Sequence, residues 1–307
     1  MPVVDAAWQE WLRTNAARGC TIDSMIDAMV QAGFAADAAA QAVHGAFGAF
    51  GVVASGAAAS SVAAGGIEAA LPQTAPSAPG VPNAQRTPYA YDDGPVARGN
   101  TIRAFDRDVQ VLMRCERPQV IVFANVLSPE ECDEVIERSR HRLKRSTIVD
   151  PATGQEDVIR NRTSEGIWYQ RGEDAFIERL DQRIASLMNW PVENGEGLQI
   201  LHYGPTGEYR PHFDYFPPDQ PGSTVHTARG GQRVATLVIY LNDVPDGGET
   251  IFPEAGLSVA AKQGGAVYFR YMNGERQLDP LTLHGGAPVR AGDKWIMTKW
   301  MRERAYV

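Results

Sequence analysis

Residues Arg210 to Pro218 read RPHFDYFPP, and the interpretation of the whole chain depends on this stretch. It places His212 and Asp214 two positions apart in a run of aromatic residues, followed by two prolines. In a β-strand, residues i and i+2 point to the same face, about 7 Å apart. The stretch is therefore either an ordinary half-buried strand or the source of two ligands of a metal ion. A third ligand elsewhere in the chain would decide between them.

The third ligand must come from the remaining histidines, which are His44, His141, His202, His226 and His284. His284 lies in LTLHGGAPV, where a predicted strand ends at a Gly-Gly turn, a good place to present a ligand. Two histidines and one carboxylate form the facial triad of non-haem Fe(II) oxygenases, which leaves positions open for a co-substrate and oxygen. An HxD pair alone is weak support, because a histidine on a strand is more often packed in a core.

Lys294 follows ten positions after His284, in VRAGDKWIMTKW. It opens a predicted strand of alternating apolar residues, and a buried ammonium is costly unless it is paired. A dicarboxylic co-substrate would supply that partner. Taken alone, Lys294 is better explained as an exposed lysine that protects a sheet edge.

The composition limits the classes of function. The chain has 307 residues and a formal net charge of −8, which disfavours wholesale binding of nucleic acid. Three cysteines without a CxxC pair suit a reducing compartment, and the start lacks the pattern of a signal peptide, so we predict a cytoplasmic protein. Residues 38–67 carry no charge, but they are mostly Ala, Gly and Ser, so we predict no membrane span.

Changes in composition predict three segments. Residues 1–50 have apolar residues at helical spacing and are predicted to form a small helical module. Residues 51–100 are rich in Ala, Gly and Pro and are predicted to be a linker. Residues 101–307 form the main domain.

Within the main domain, two helices and many short strands are predicted. LSPEECDEVIERSRHRL carries a capping box, with Ser128 as N-cap and Glu131 at N3, and AFIERLDQRIASLMNWP has an apolar stripe. From Glu196 onward, short β-rich segments are separated by Gly, Pro and Asn. This order favours an antiparallel sandwich or barrel with helices on one side, including a jelly roll whose interior holds a small ligand.

Three separate stretches, taken in order, resemble the 2-oxoglutarate- and Fe(II)-dependent prolyl 4-hydroxylase family: HYGPTGEYRPHFDYF, GGQRVATLVIYLNDVPDGGETIFP and LHGGAPVRAGDKWIMTKW. The resemblance runs from about Pro118 to Glu303 and leaves residues 1–100 uncovered. It implies an α+β fold, in which a double-stranded β-helix (jelly-roll) catalytic domain with supporting helices follows a small α-helical N-terminal module.

The resemblance also implies roles for individual residues. The metal ligands are His212, Asp214 and His284. The distal carboxylate of 2-oxoglutarate pairs with Lys294 and accepts hydrogen bonds from Tyr203 and Thr250. The remaining positions lie near the metal or in the peptide groove: Tyr209 beside the metal, and Arg162, Arg233 and Trp300 toward the substrate. Two loops, Arg162 to Gly172 and Pro217 to Gly231, are candidate lids.

The implied reaction consumes O2 and 2-oxoglutarate, releases succinate and CO2, and hydroxylates a proline-containing peptide or protein. L-ascorbate is expected to restore iron oxidised in turnovers without substrate. Neither nucleic acid nor membrane is an expected partner.

Several alternatives remain open from the residues alone. The same fold serves oxygenases of free amino acids or small molecules. Zn(II) also accepts two histidines and an aspartate with an open position, as in hydrolases, although such an enzyme gives Lys294, Tyr203 and Thr250 no joint role. A non-catalytic metal-binding module is a third alternative. The linker's own prolines are a further possible target.

Overall fold

The structure is a computed structural model that describes residues 88–145, 148–149, 156–157, 163–220 and 222–307, and, nearer the N-terminus, 4, 8–9, 12, 22–31 and 34–49. The chain divides into two compact units, Met1–Gly80 and Val81–Val307, and each is described by itself. The segment boundaries inferred from composition stay a prediction, and most of the predicted linker lies outside the described residues.

In the described part of the first unit lie the helices α1 (Ile22–Gln31) and α2 (Ala36–Ala49). They bury a small apolar cluster in which Met25 and Met29 of α1 meet Ala39 and Val43 of α2. The helical spacing of the apolar residues predicts this module. None of the helices in the described residues is both long and apolar enough to cross a membrane.

The second unit holds the remaining elements. Its helices are α3 (Pro129–Arg140), α4 (Ala175–Met188) and α5 (Ser223–Ala228), with short 3₁₀ turns at Val192–Asn194, Pro253–Ala255 and Pro280–Thr282. Its strands are β1 (Thr101–Ala104), β2 (Arg107–Glu116), β3 (Gln119–Ala124), β4 (Lys144–Arg145), β5 (Ile148–Val149), β6 (Glu156–Asp157), β7 (Glu165–Tyr169), β8 (Leu198–Tyr203), β9 (Tyr209–His212), β10 (Arg233–Tyr240), β11 (Asp246–Gly247), β12 (Thr250–Phe252), β13 (Leu257–Val259), β14 (Ala266–Arg270), β15 (His284–Gly286), β16 (Val289–Ala291) and β17 (Lys294–Arg302).

Two antiparallel sheets form the framework of this unit. The larger has the order β1-β2-β3-β14-β10-β17-β8-β7-β4, and the smaller has the order β13-β12-β15-β9. From β8 onward the chain passes back and forth between them, so β8, β10, β14 and β17 join the larger sheet while β9, β12, β13 and β15 form the smaller. This is the winding of a double-stranded β-helix, and the predicted jelly roll with supporting helices is confirmed.

The larger sheet separates two cores. On one face, Leu237 and Met297 pack with Leu180 and Ile184 of α4. On the other face, Val238, Tyr240 and Ile296 point toward Phe252 of the smaller sheet. Because side chains alternate along a strand, the even-numbered positions of β17 face the space between the sheets. Lys294 is one of them.

The predicted capping box is present at α3. The Ser128 hydroxyl accepts a hydrogen bond from the backbone N–H of Glu131, and the Glu131 carboxylate accepts one from the backbone N–H of Ser128. The same carboxylate receives two hydrogen bonds from Arg183 of α4, at 2.7 and 2.8 Å. The cap therefore also joins the two helices that cover the sheet.

The end of the predicted linker packs on the second unit. The Tyr91 hydroxyl donates to Asp279 at 2.8 Å, and the Asp92 carboxylate accepts from Arg270 and from the backbone N–H of Gly274. Residues 89–92 are thus tied to the loop that leads into β15.

Candidate active site

The imidazoles of His212 and His284 and the carboxylate of Asp214 meet between the two sheets. Their ligand atoms all lie within 4.8 Å of one another. Asp214 Oδ1 is 3.6 Å from His212 Nε2, and Asp214 Oδ2 is 3.6 Å from His284 Nε2. Asp214 and His284 are buried, and His212 is partly exposed.

The two histidines come from neighbouring strands. His212 ends β9 and lies opposite His284, the first residue of β15. A side chain at Gly285 would prevent this pairing, because its Cβ would lie 2.8 Å from the carbonyl oxygen of Tyr209 on β9. The glycine after His284 thus lets the two strands approach closely.

Two local expectations are wrong. Asp214 does not share a strand with His212, because β9 ends at His212. Beyond β9, the side-chain amide of Gln232 pairs with both the N–H and the carbonyl of Phe216, at 2.8 and 2.7 Å. His284 begins a strand instead of ending one, because Asp279 caps a 3₁₀ turn at Pro280–Thr282 immediately before it.

Backbone carbonyls fix the histidine tautomers. His212 Nδ1 lies 2.9 Å from the carbonyl oxygen of Arg210, and His284 Nδ1 lies 2.9 Å from that of Thr282. A carbonyl oxygen only accepts, so each Nδ1 carries a hydrogen, and in the neutral imidazole Nε2 then presents a lone pair. Two lone pairs and a carboxylate then face one another without a hydrogen between them. A cation bound between the two Nε2 atoms and the Asp214 carboxylate would satisfy all three groups.

The charge states suit a cation. Burial would raise the pKa of the Asp214 carboxyl, but His284, His212 and Arg233 hold that pKa well below its usual range. Burial lowers the pKa of His284 to about 4. Near neutral pH the cluster therefore offers an anionic carboxylate and a neutral His284 imidazole, the forms that bind a metal ion.

Thr236 of β10 binds the carboxylate of Asp214, a contact that the sequence did not predict. Its hydroxyl donates to Asp214 Oδ2 at 2.7 Å and lies 3.2 Å from the hydroxyl of Tyr271. Thr236 is completely buried. The signal in the sequence was its position in RVATLVIY, where it shares a strand face with Val238 and Tyr240.

Lys294 projects into the same cavity and is 4% exposed. Its Nζ lies 5.7 Å from the ring centre of Tyr203 and 5.9 Å from that of Tyr240. Burial lowers the pKa of Lys294 to about 8, and Glu249 acts on it only as a more distant opposite charge. Among the described residues the ammonium forms no ion pair. An anionic ligand bound in the cavity would supply the missing ion-pair partner of Lys294.

Tyr203 and Thr250 also line the cavity, and both are buried. The hydroxyl of Tyr240 donates to Thr250 Oγ1 at 2.8 Å. The hydrogen of the Thr250 hydroxyl therefore remains available to a ligand. The structure brings Tyr203, Thr250 and Lys294 together as the resemblance implies.

Three further predicted positions lie around the metal cluster and the cavity wall. The ring of Tyr209 stacks on that of His212, with ring centres 3.7 Å apart. The guanidinium of Arg233 lies 4.1 Å from the ring centre of Trp300. Arg233, predicted to lie toward the substrate, binds the Glu196 carboxylate through two of its nitrogens at 2.6 and 2.9 Å. Glu196 also accepts from Arg302 at 2.6 Å.

The loop residues are only partly described. Arg162 lies outside the described residues. Trp168 and Arg171 from one predicted lid, and Pro217, Ser223 and His226 from the other, line the cavity, whose volume is about 920 Å³.

The profile of the 2OG-Fe(II) oxygenase superfamily matches residues 198–302, the stretch from β8 to β17 that supplies the whole metal cluster and Lys294. Probable prolyl 4-hydroxylase 3 of Arabidopsis thaliana is 41% identical over 208 residues, which are 62% of this chain and 71% of that protein. The chain belongs to the prolyl 4-hydroxylase family.

Other members of the prolyl 4-hydroxylase family are more distant. Prolyl 4-hydroxylase subunit alpha-1 of Mus musculus is 36% identical over 189 residues, which are 62% of this chain and 35% of that subunit. Among solved structures, the viral collagen prolyl hydroxylase from Paramecium Bursaria Chlorella virus-1 in its 2OG complex is similar at 27% identity, with a TM-score of 0.47. That match covers 60% of this chain and 95% of the viral one.

Membership in this family establishes the class of chemistry. The chain is a 2-oxoglutarate-dependent Fe(II) dioxygenase, as the sequence predicts. The donor set fits the metal, because two imidazole nitrogens and one carboxylate are the ligands of a non-haem Fe(II) site.

Proposed function

We propose that this protein hydroxylates a proline residue within a peptide, with Fe(II), O2 and 2-oxoglutarate, and releases succinate and CO2. One observation carries the proposal: the His-Asp-His cluster of possible metal ligands and a buried ammonium that has no ion-pair partner among the described residues face the same cavity. A metal ion satisfies the cluster and a dicarboxylate satisfies the ammonium.

His212, Asp214 and His284 would hold the iron. Bound there, Fe(II) supplies the activation of O2 that is coupled to decarboxylation of 2-oxoglutarate. The protein fixes the ligands: backbone carbonyls orient both imidazoles, and Thr236 orients the carboxylate. Such supporting hydrogen bonds commonly determine metal affinity.

Lys294, Thr250 and Tyr203 would bind the distal carboxylate of 2-oxoglutarate. Lys294 contributes the charge, and Thr250 contributes a hydroxyl whose hydrogen is free because Tyr240 donates to its oxygen. All three side chains are buried, and an ion pair is stronger in a buried site than in water.

Trp300 and Arg233 would contact the substrate. The indole of Trp300 is a flat apolar surface suited to a pyrrolidine ring. The similar plant and animal proteins are prolyl 4-hydroxylases by name, which supports a prolyl substrate. A free amino acid or a small molecule is the alternative substrate class.

Two further points belong to this proposal. L-ascorbate would sustain activity by reducing iron that has been oxidised without substrate. The protein would work in the cytoplasm, in accordance with its three cysteines, of which Cys115 and Cys132 are free thiols.

Succinate release with Fe(II) and 2-oxoglutarate, measured across a panel of proline-rich peptides, tests the proposal. We expect succinate to form in step with a mass increase of one oxygen atom in the peptide. His212→Ala should abolish both signals. His202→Gln is the matched control, because His202 pairs with Asp293 at 3.0 Å outside the cavity and its loss should leave turnover intact. A free amino acid that turns over while no peptide does would contradict the peptide assignment.

A further inference from the structure

The lining of the cavity is strongly basic in an acidic protein. Among the described residues that line it, five are basic, namely Arg171, Arg229, Arg233, Lys294 and Arg302, and two are acidic, namely Glu196 and Asp214. The chain as a whole has a net charge of −8. The positive charge is therefore concentrated at this site.

The inner charges have partners of their own. Glu196 binds both Arg233 and Arg302. In the proposed function, Lys294 pairs with 2-oxoglutarate and Asp214 binds the metal. Glu196 supplies one negative charge for two arginines, so one positive charge remains on the pair Arg233 and Arg302. Arg171 and Arg229, at the mouth of the cavity, form no ion pair with a carboxylate among the described residues.

Tyr306 gathers these arginines at one side of the mouth. Its backbone carbonyl accepts a hydrogen bond from Arg171 Nη1 at 3.0 Å, and its backbone N–H donates to the carbonyl of Glu193 at 2.9 Å. The guanidinium of Arg229 lies 4.4 Å from its ring centre, and that of Arg302 lies 4.9 Å from it. The ring of Tyr306 thus contacts the guanidinium groups of Arg229 and Arg302. The backbone carbonyl of Tyr306 binds that of Arg171.

Arg229 is the arginine best placed to bind a ligand. It is exposed, and among the described residues it forms no ion pair with a carboxylate. The stack on Tyr306 restricts the side chain, so less rotamer entropy is lost when it binds. Arg302 already binds the Glu196 carboxylate, whereas Arg229 and Arg171 form no ion pair among the described residues, so an anion beside Tyr306 would lower the repulsion between their like charges.

We propose that the peptide substrate carries aspartate or glutamate beside the target proline, and that Arg229, supported by Arg171, binds those carboxylates. The inference rests on the proposed peptide hydroxylation and specifies its substrate class. A proline entering toward Trp300 leaves its flanking residues at the mouth of the cavity, where the arginines lie. A guanidinium is well matched to a carboxylate, because it donates several hydrogen bonds in a fixed plane.

Three peptides with one proline each test the inference, and they differ only in whether the flanking residues are Glu, Gln or Lys. The readout is kcat/KM from the mass increase of one oxygen atom. We expect the full-length wild-type enzyme to prefer the Glu peptide over the Lys peptide by about fivefold, the upper end of what an exposed charge pair contributes. The preference should shrink at high salt, since surface charges are screened there.

Substitutions at single arginines test whether Arg229 causes the preference for the Glu peptide. Arg229→Glu should reverse or abolish the ratio of Glu-peptide to Lys-peptide kcat/KM, and Arg229→Lys should retain most of it. Arg103→Glu is the control: it makes the same charge change on β1, at an exposed residue outside the cavity lining, and should keep the wild-type ratio.

The outcomes distinguish a failure of the acidic-substrate inference from a failure of the proposed peptide hydroxylation. If the Gln peptide is hydroxylated but the Glu and Lys peptides react equally well, the acidic-substrate inference is wrong while peptide hydroxylation stands. Equal ratios in Arg229→Glu and Arg103→Glu would likewise overturn the role of Arg229. If none of the three peptides is hydroxylated, the peptide-hydroxylase proposal and this inference fail together.

Discussion

The affinity for 2-oxoglutarate should fall as the pH rises through about 8, because Lys294 then loses its proton. Burial lowers the pKa of this side chain from its ordinary value to about 8 in the protein without ligand. A carboxylate about 4 Å from the ammonium gains about 4 kcal/mol at an effective dielectric constant of about 20, an attraction that the neutral amine lacks. Binding therefore requires the protonated form.

The size of the effect follows from the protonated fraction. With a pKa of about 8, roughly nine-tenths of Lys294 is charged at about pH 7 and roughly one-tenth at about pH 9. The apparent affinity scales with the competent fraction, so the KM for 2-oxoglutarate should rise about tenfold over that range. Binding of the anion raises the pKa of Lys294 again, so kcat at saturating 2-oxoglutarate should change less.

Initial rates of succinate release at several concentrations of 2-oxoglutarate, measured across this pH range, provide the test. Lys294→Arg is the matched control, because a guanidinium stays charged throughout and its KM should not depend on pH. Lys294→Met should raise KM and also remove the pH dependence. A wild-type KM that stays constant or falls as the pH rises would refute the assignment of Lys294.

Three other substitutions test separate parts of the structure. Thr236→Val removes the hydrogen bond to Asp214 and should weaken Fe(II) binding by about 10- to 100-fold in an anaerobic titration, whereas Thr236→Ser should not. Lys299→Ala leaves the buried Asp181 carboxylate, 2.6 Å from Lys299 Nζ, without its partner; it should lower the free energy of unfolding in urea by about 3–5 kcal/mol. Arg290→Ala, which breaks an exposed ion pair, should leave the urea midpoint unchanged. Glu196→Gln releases both Arg233 and Arg302 and should raise the KM for the peptide while the KM for 2-oxoglutarate stays the same, and equal changes in both would contradict that role.

The sequence predicts the fold and most of the candidate site because the deciding patterns are local. Alternation along KWIMTKW places Lys294 on the same face of β17 as Trp300, and the structure has both in the cavity lining. The capping box at Ser128 is a four-residue pattern, from Ser128 to Glu131, and it is present. The ligand-bearing stretches matched a known family in order and spacing, which extended the prediction from elements to a fold.

Interactions between residues distant in sequence were not predicted. Glu196, Arg233 and Arg302 come from the segment before β8, from β10 and from β17, and nothing near any one of them indicates the other two. Asp214 lies beyond the end of β9, where the side chain of Gln232 reaches back to Phe216. The alternation of side chains predicts their direction only where the backbone is paired with a neighbouring strand. At Phe216 the backbone pairs with the side chain of Gln232 instead.

Turnover of a proline-containing peptide under isotopically labelled dioxygen tests the central claim most directly. We expect the peptide to gain one labelled oxygen atom on its proline for each succinate released, and His212→Ala to show neither product. Oxygen in the peptide that comes from water, or a modified peptide without succinate, would contradict the assignment of this site as a 2-oxoglutarate-dependent prolyl hydroxylase.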